Sequence, residues 1–183
     1  MSVDEVVKFS AEIIAEDGTT GTALAAASYP AGEPLAWSKA ALTVGGTSVP
    51  VTSFSLKCNN NLKTDRYYLQ NSARRSQAAR DDFPEITVEF EADFGSLTQY
   101  NRFVAETASG TRAALVFSAT SSTAITTGVY PGVSISLPAV DFTDVSVAVE
   151  GTEMLMQSIT GMVLDNGTDE PISVTYTSSD STP

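Results

Sequence analysis

The sequence contains no histidine and only one cysteine, Cys58. Without histidine there is no Ser-His-Asp or Cys-His catalysis, and the commonest transition-metal ligand is missing. A lone cysteine excludes an internal disulfide and cannot build a zinc site. Cys58 is expected to be a small buried hydrophobe in a reducing compartment. No apolar run reaches about 18 residues, so no transmembrane helix is expected. The opening Met1-Ser2-Val3-Asp4-Glu5 is acidic and lacks the basic-then-apolar pattern of a signal peptide. Export by another route, such as cell lysis, is then implied. Positive charge is also scarce: ten Lys and Arg stand against 22 Asp and Glu, a formal net charge of −12. That balance argues against general duplex-DNA binding, which needs an excess of cations at phosphates. It suits a surface that repels DNA and lets it pass.

The few cations are segregated. Six of the ten lie between Lys57 and Arg80, namely Lys57, Lys63, Arg66, Arg74, Arg75 and Arg80. With Asp65 the only acid there, that stretch carries formally +5, and the remaining residues carry −17. Copies of so polarised a chain have a reason to bind one another head to tail.

At 183 residues, 42% hydrophobic and 17% charged, the chain is long and apolar enough for one cored domain spanning 1–183. Val6 to Ile14 alternates apolar and polar and predicts a strand. Residues 17–34 are rich in Gly, Thr, Ala and Ser and read as an arm or linker. Ala41–Val44 and Val49–Val51 flank Gly45-Gly46-Thr47-Ser48, a hairpin signal. The second strand continues to Cys58. Residues 59–83 then form a long polar, basic inter-strand loop, a length usually tied to function or disorder. Glu85 to Phe94 alternates strictly. Ile86, Val88, Phe90, Ala92 and Phe94 face one way, while Glu85, Thr87, Glu89, Glu91 and Asp93 face the other. A row of carboxylates on one face is self-repelling, which hints at a use.

Ser96-Leu97-Thr98-Gln99 matches a capping box and predicts one helix. Its Leu97, Tyr100 and Val104 stripe, with Phe103, is expected to dock on the sheet, and Gly110 lies past its end. Strands are predicted at 113–119, 133–137, 145–149, 154–164 and 172–177, with a turn at Asp165-Asn166-Gly167 and a flexible tail at 178–183. The fold class is mainly β: a sandwich or barrel with one flanking helix and a long basic loop.

Each constellation has a plain reading beside the functional one. Glu85, Glu89, Glu91 and Asp93 are a solvated strand face, the lining of an assembly, or the acids of a glycosidase. Exposed carboxylates lack the burial that tunes an acid, so no catalytic residue is assigned. The oxygens around Asp165–Glu170 form a turn or hold calcium, but their spacing departs from the 12-residue calcium loop. No metal or cofactor is assigned, and the Asn166-Gly167-Thr168 sequon carries little weight. The basic loop is a mobile solvated loop, a nucleic-acid arm in which Tyr67 and Tyr68 interleave the cations, or a docking loop between like subunits. The last reading also explains why the rest of the chain is acidic.

Three segments resemble phage tail tube proteins, the major tail proteins of long-tailed bacteriophages. They are Gly45–Leu56 running on through Asn60–Leu69, Glu85–Phe94 followed by Tyr100–Phe103, and Val163–Ile172. Together they span roughly 35–178. The resemblance implies a β-sandwich whose copies form stacked rings, usually of six, around a conduit for DNA ejection. Some similar proteins are about twice as long and resemble this chain in their second half; a duplicated unit would make rings of three. It further implies that Glu85, Glu89, Glu91 and Asp93 line the lumen. Lys57, Lys63, Arg66, Arg74, Arg75 and Arg80 would reach an adjacent ring. Tail-tip and terminator proteins would be partners, DNA would pass without specific binding, and no membrane would be involved. Such a protein is made in the host cytoplasm and ends in the virion. The rival is an immunoglobulin-like binding module, such as a capsid decoration or adhesion domain.

Overall fold

Alternating apolar residues dictate the sheets of a computed structural model that describes residues 1–13, 33–69, 76–105, 112–148 and 155–178. Ile14, residues 17–32 of the predicted arm, Arg74, Arg75, Gly110 and all but the first residue of the tail lie outside the described residues. The described chain divides into two units. One comprises residues 1–8, 33–57 and 86–178, and the other comprises 9–13 and 58–85.

In the first unit, a 3-10 turn at Trp37–Lys39 leads into β1 (Ala40–Val44) and β2 (Thr47–Val49). Val44 pairs with Thr47, so only Gly45 and Gly46 form the turn. Both have positive φ, +58° and +79°, as a two-residue primed turn demands. The predicted hairpin is present, with Thr47 and Ser48 inside the strand. After Pro50, β3 runs Val51–Asn59. Next come β6 (Glu85–Asp93), α1 (Thr98–Phe103), β7 (Ala113–Thr120), β8 (Gly132–Ala148), β9 (Met156–Val163) and β10 (Ser173–Thr177).

The sheet order is β2-β1-β7-β8-β9-β6-β3, with β10 also on β8. The first and last strands of that order, β2 and β3, are consecutive in the chain. Pro50 stands between them, where pairing passes from β1 to β6. Proline has no N–H to donate, so it fits the residue at which one ladder ends and another begins. The two ends of the sheet order are thereby joined by one residue of backbone.

β8 merges two predicted strands into one of 17 residues. Its first half pairs with β7 and β10, its second half with β9. Registers shift between Leu137 and Val140 and between Phe142 and Asp144. Such bulges let a strand turn from one sheet to another. Pro138 falls at the first of them, which is why the apolar pattern reads as interrupted.

The core lies between the sheets. Leu42, Val44, Val88, Phe90, Leu115, Leu137, Val140 and Ile159 are the largest side chains sealed from solvent. Phe54 stacks on Phe117 with centroids 4.7 Å apart. β9 passes close at Gly161. A Cβ there would sit 2.7 Å from Val140 Cγ1 and 3.1 Å from the Asp141 carbonyl oxygen. Gly161→Ala is therefore expected to destabilise. Overpacking costs about 1–3 kcal/mol, against about 0.4–1 kcal/mol returned by stiffening the unfolded chain. A lower urea midpoint would show it; an unchanged or higher one would mean that the strand relaxes.

Two expectations fail. Val6–Ile13 is not a regular strand: only an isolated Val6–Ala36 bridge forms, and Phe9 and Ile13 are exposed. Alternation alone supplies no partner edge. The helix, too, is rotated. Gln99 is its buried residue, while Leu97, Tyr100, Phe103 and Val104 remain partly exposed. The capping box is absent. Leu97 is the N-cap, Ser96 Oγ accepts the Thr98 N–H at 3.4 Å, and the Gln99 side chain is spent inward.

In the second unit, the loop is not featureless. β4 (Leu62–Lys63) pairs with β5 (Ala79–Arg80) as a short antiparallel ribbon. Asn61 Nδ2 donates to the Phe83 carbonyl at 2.7 Å and the Asp81 N–H to the Asn61 carbonyl at 2.9 Å, closing its base.

Candidate functional site

Antiparallel pairing places directly opposed residues on the same side of a sheet. Three rows of opposed residues therefore define one outer face across β8, β9 and β6. Ser146 opposes Ser158, which opposes Glu91. Asp144 opposes Thr160, which opposes Glu89. Asp141 opposes Met162, which opposes Thr87. β3 extends the face with Ser53, whose hydroxyl donates to Glu91 Oε2 at 3.2 Å, and with Lys57, whose Nζ lies 3.3 Å from Glu89 Oε1. On the reverse side, Val88, Phe90, Ala92, Phe142, Val145 and Ile159 are buried. The period of two thus separates a dry core from a wet, acidic face within the same strands.

This face carries Glu89, Glu91 and Asp93 from β6, together with Asp141 and Asp144 from β8. Glu85 is the exposed first residue of β6. The β8 pair was missed in the sequence because Asp141 and Asp144 do not alternate: the bulge beside Thr143 restores their common side. The self-repulsion expected of a carboxylate row is partly relieved by Lys57 and Ser53. Both side chains of the Lys57–Glu89 pair are exposed, 67% and 48%, so it contributes only about 0–1 kcal/mol.

Neither border of this four-strand face is paired with a further named strand, although Ser2 bridges Ser53 on β3. β3 ends the sheet order. The second half of β8, residues 141–148, pairs with β9 on one side only, because β7 reaches no further than Val140 and β10 no further than Ser136. Among the described strands, none covers the other side. Unpaired edges of this length invite another strand.

The cations do not act as one group. Lys57 belongs to the acidic face. Arg66 stitches its own loop: its guanidinium donates to the Gln77 carbonyl at 2.7 Å and to Tyr68 Oη at 3.2 Å, over whose ring it also sits. Lys63 and Arg80 are exposed on the ribbon. Cys58 is exposed, contrary to expectation, because it lies near the end of β3 where the core no longer covers the strand. Partial desolvation pushes its thiol up, away from reactive thiolate. The Asp165–Glu170 oxygens serve the turn itself: Asp165 Oδ1 accepts the Gly167 N–H at 2.7 Å, and Asn166 Oδ1 accepts those of Thr168 and Asp169 at 2.9 and 2.8 Å.

A family model described as phage tail tube protein matches residues 1–179. No curated protein matches. Among solved structures, the tube-terminating cap of the anti-feeding prophage superposes with a TM-score of 0.53 at 16% identity, covering 86% of this chain and 98% of the cap protein. A chain of the sheath-tube complex of the extracellular contractile injection system PVC gives 0.55 at 12% identity, with 79% and 93% covered. One from the sheath/tube terminator of the same system gives 0.55 at 12%, with 80% and 99% covered. At such identities these three show a shared fold.

Proposed function

We propose a ring-and-stack mechanism for this chain, which belongs to the phage tail tube protein family. It is a structural subunit of the tail tube and a component of the virion tail. The finer reading is that copies join edge to edge, the β3 border of one pairing with the β8 border of the next, so that the acidic faces line a continuous lumen. The observation that carries it is the four-strand face with a core behind it, carboxylates in front, and two borders that no named strand of the described residues pairs. Pairing in a ring leaves no edge for aggregation.

Six copies of four strands make about 24 strands, and at about 4.8 Å each the circumference is near 115 Å. The backbone bore is then about 37 Å, and strand tilt widens it. That leaves room for side chains around a duplex. Glu89, Glu91, Asp93, Asp141 and Asp144 would put about thirty carboxylates on each ring, a field that keeps phosphates from settling. Glu85 lies at the start of the same strand and would extend the lining. The tube acts by shape and charge, with no catalytic step.

Lys63, Arg66, Arg74, Arg75 and Arg80 would dock the long loop on acidic surface of the neighbouring ring, with Lys57 at its root. Exposed pairs are weak singly, but a ring repeats them. Arg74→Glu with Arg75→Glu is expected to leave a folded monomer and to stop tube growth, read by circular dichroism and electron microscopy. Normal tubes would remove the docking role. Tail-tip and terminator proteins are the expected partners at the ends.

Negative-stain microscopy of the concentrated protein at low salt tests the whole reading. Hollow striated tubes are expected, with six subunits in end-on views; three large units would indicate a duplicated ring plan. Dispersed particles at every concentration would favour a monomeric binding module.

A further inference from the structure

The open border of β3 is already occupied over part of its length. The Val3 N–H donates to the Thr52 carbonyl at 3.1 Å, and the Phe54 N–H to the Met1 carbonyl at 2.8 Å. The Met1 nitrogen returns a bond to the Phe54 carbonyl at 2.6 Å. Ser2 and Ser53 face each other as an antiparallel bridge. Residues 1–3 thus act as a short ninth strand laid along β3, on the side away from β6.

This seat is shallow. Ser2 and Val3 are exposed, and only Met1 packs against the core. A cavity of about 50 Å³ remains where Met1, Val3, Trp37, Phe54 and Phe117 meet. The segment is held by its three backbone bonds and by the Met1 side chain.

The lengths of the two borders conflict while the segment is in place. β3 has nine residues. From Asp141 to Ala148, β8 pairs with no described strand except β9, and α1 packs against β8. With Thr52–Phe54 taken, β3 offers an incoming strand only its part beyond Phe54. With the segment gone, nine residues meet eight.

We propose that residues 1–3 are a strap over the subunit's joining edge, which a second copy displaces as the ring closes. The inference rests on the edge-to-edge reading above. The strap keeps the free subunit from pairing at random, because the edge it covers is the one an aggregating strand would use. The β3 groups that the strap releases are then satisfied by the neighbour.

Disulfide locking tests it. Ser2 and Ser53 form the non-hydrogen-bonded kind of antiparallel pair, whose Cα atoms stand about 4.5 Å apart, within disulfide reach. Ser2→Cys and Ser53→Cys are introduced together with Cys58→Ser, which removes the competing thiol. The oxidised protein is expected to stay monomeric under conditions where the same protein, reduced, grows tubes. Equal growth in both states would overturn the strap and leave the ring reading standing. A Cys58→Ser parent that forms no ring at all would overturn both. A second variant guards against damage to the fold by the new cysteines. The full chain with residues 2 and 3 replaced by Pro, which cannot donate to the ladder, is expected to assemble faster than the parent. Slower or unchanged assembly would count against the strap.

Discussion

Phe90→Ala is expected to remove about 3–5 kcal/mol of stability, the usual loss when a sealed aromatic is truncated to a methyl. Phe90 is 1% exposed at the middle of β6 and meets Phe142 edge-on, with centroids 6.1 Å apart. β3 and β9 flank its strand in the same sheet, so the cavity opens where neighbouring hydrogen-bonded strands hold the backbone in place. Domains hold only about 5–15 kcal/mol in total. At about 2–4 °C per kcal/mol for a chain of this size, the midpoint should fall by roughly 6–20 °C. Thermal denaturation followed by circular dichroism measures it. A shift of a degree or two would mean that the core closes over the gap. Phe90→Leu, which keeps most of the volume, should lose far less.

The second large effect concerns charge, and stability hardly enters. Glu89, Glu91 and Asp93 are exposed on β6, so changing all three to Lys should leave the monomer folded, apart from losing the weak Lys57–Glu89 pair. The lumen wall would change sign along its central strand. Tubes are expected still to form, because the change touches neither border strand. They should then hold DNA, with an affinity that falls steeply as salt releases counterions. Phage carrying the triple change should lose infectivity by orders of magnitude while keeping tails of normal length. Normal plaque titres with the reversed strand would falsify the acidic-lumen reading. DNA retention by wild-type tubes at low salt would count against it as well.

The part of this site that was legible in the sequence was the part written at a period of two. β6 declared both its faces, because one strand separating core from water must alternate. The Gly45-Gly46 turn was readable for a similar reason, since two adjacent positive φ angles are cheap only for glycine. What stayed hidden depended on partners. Residues 6–13 have a strand's pattern without a strand's neighbour. α1 shows an apolar stripe, yet it is only six residues long, and a helix that short takes its orientation from what it lands on. Asp141 and Asp144 join the acidic face only through a bulge, a backbone event with no composition of its own. Cys58 looked like core by residue type, but a strand that outruns its sheet carries its last side chains into solvent. The strap is the extreme case: Met1-Ser2-Val3 has no periodicity to read.

Pro50 has a mechanical consequence. In an open two-layer sandwich, the layers can be sheared apart by breaking side-chain contacts alone. Here one uninterrupted stretch of backbone belongs to β3, at the border of the proposed lining, and to β2, at the other end of the sheet order. A pull on the wall is carried across the subunit by peptide bonds, which do not yield. On the proposed edge-to-edge plan, what would yield are the hydrogen-bonded seams between one copy and the next. A tube of such units is a chain of stiff links, compliant at its joints.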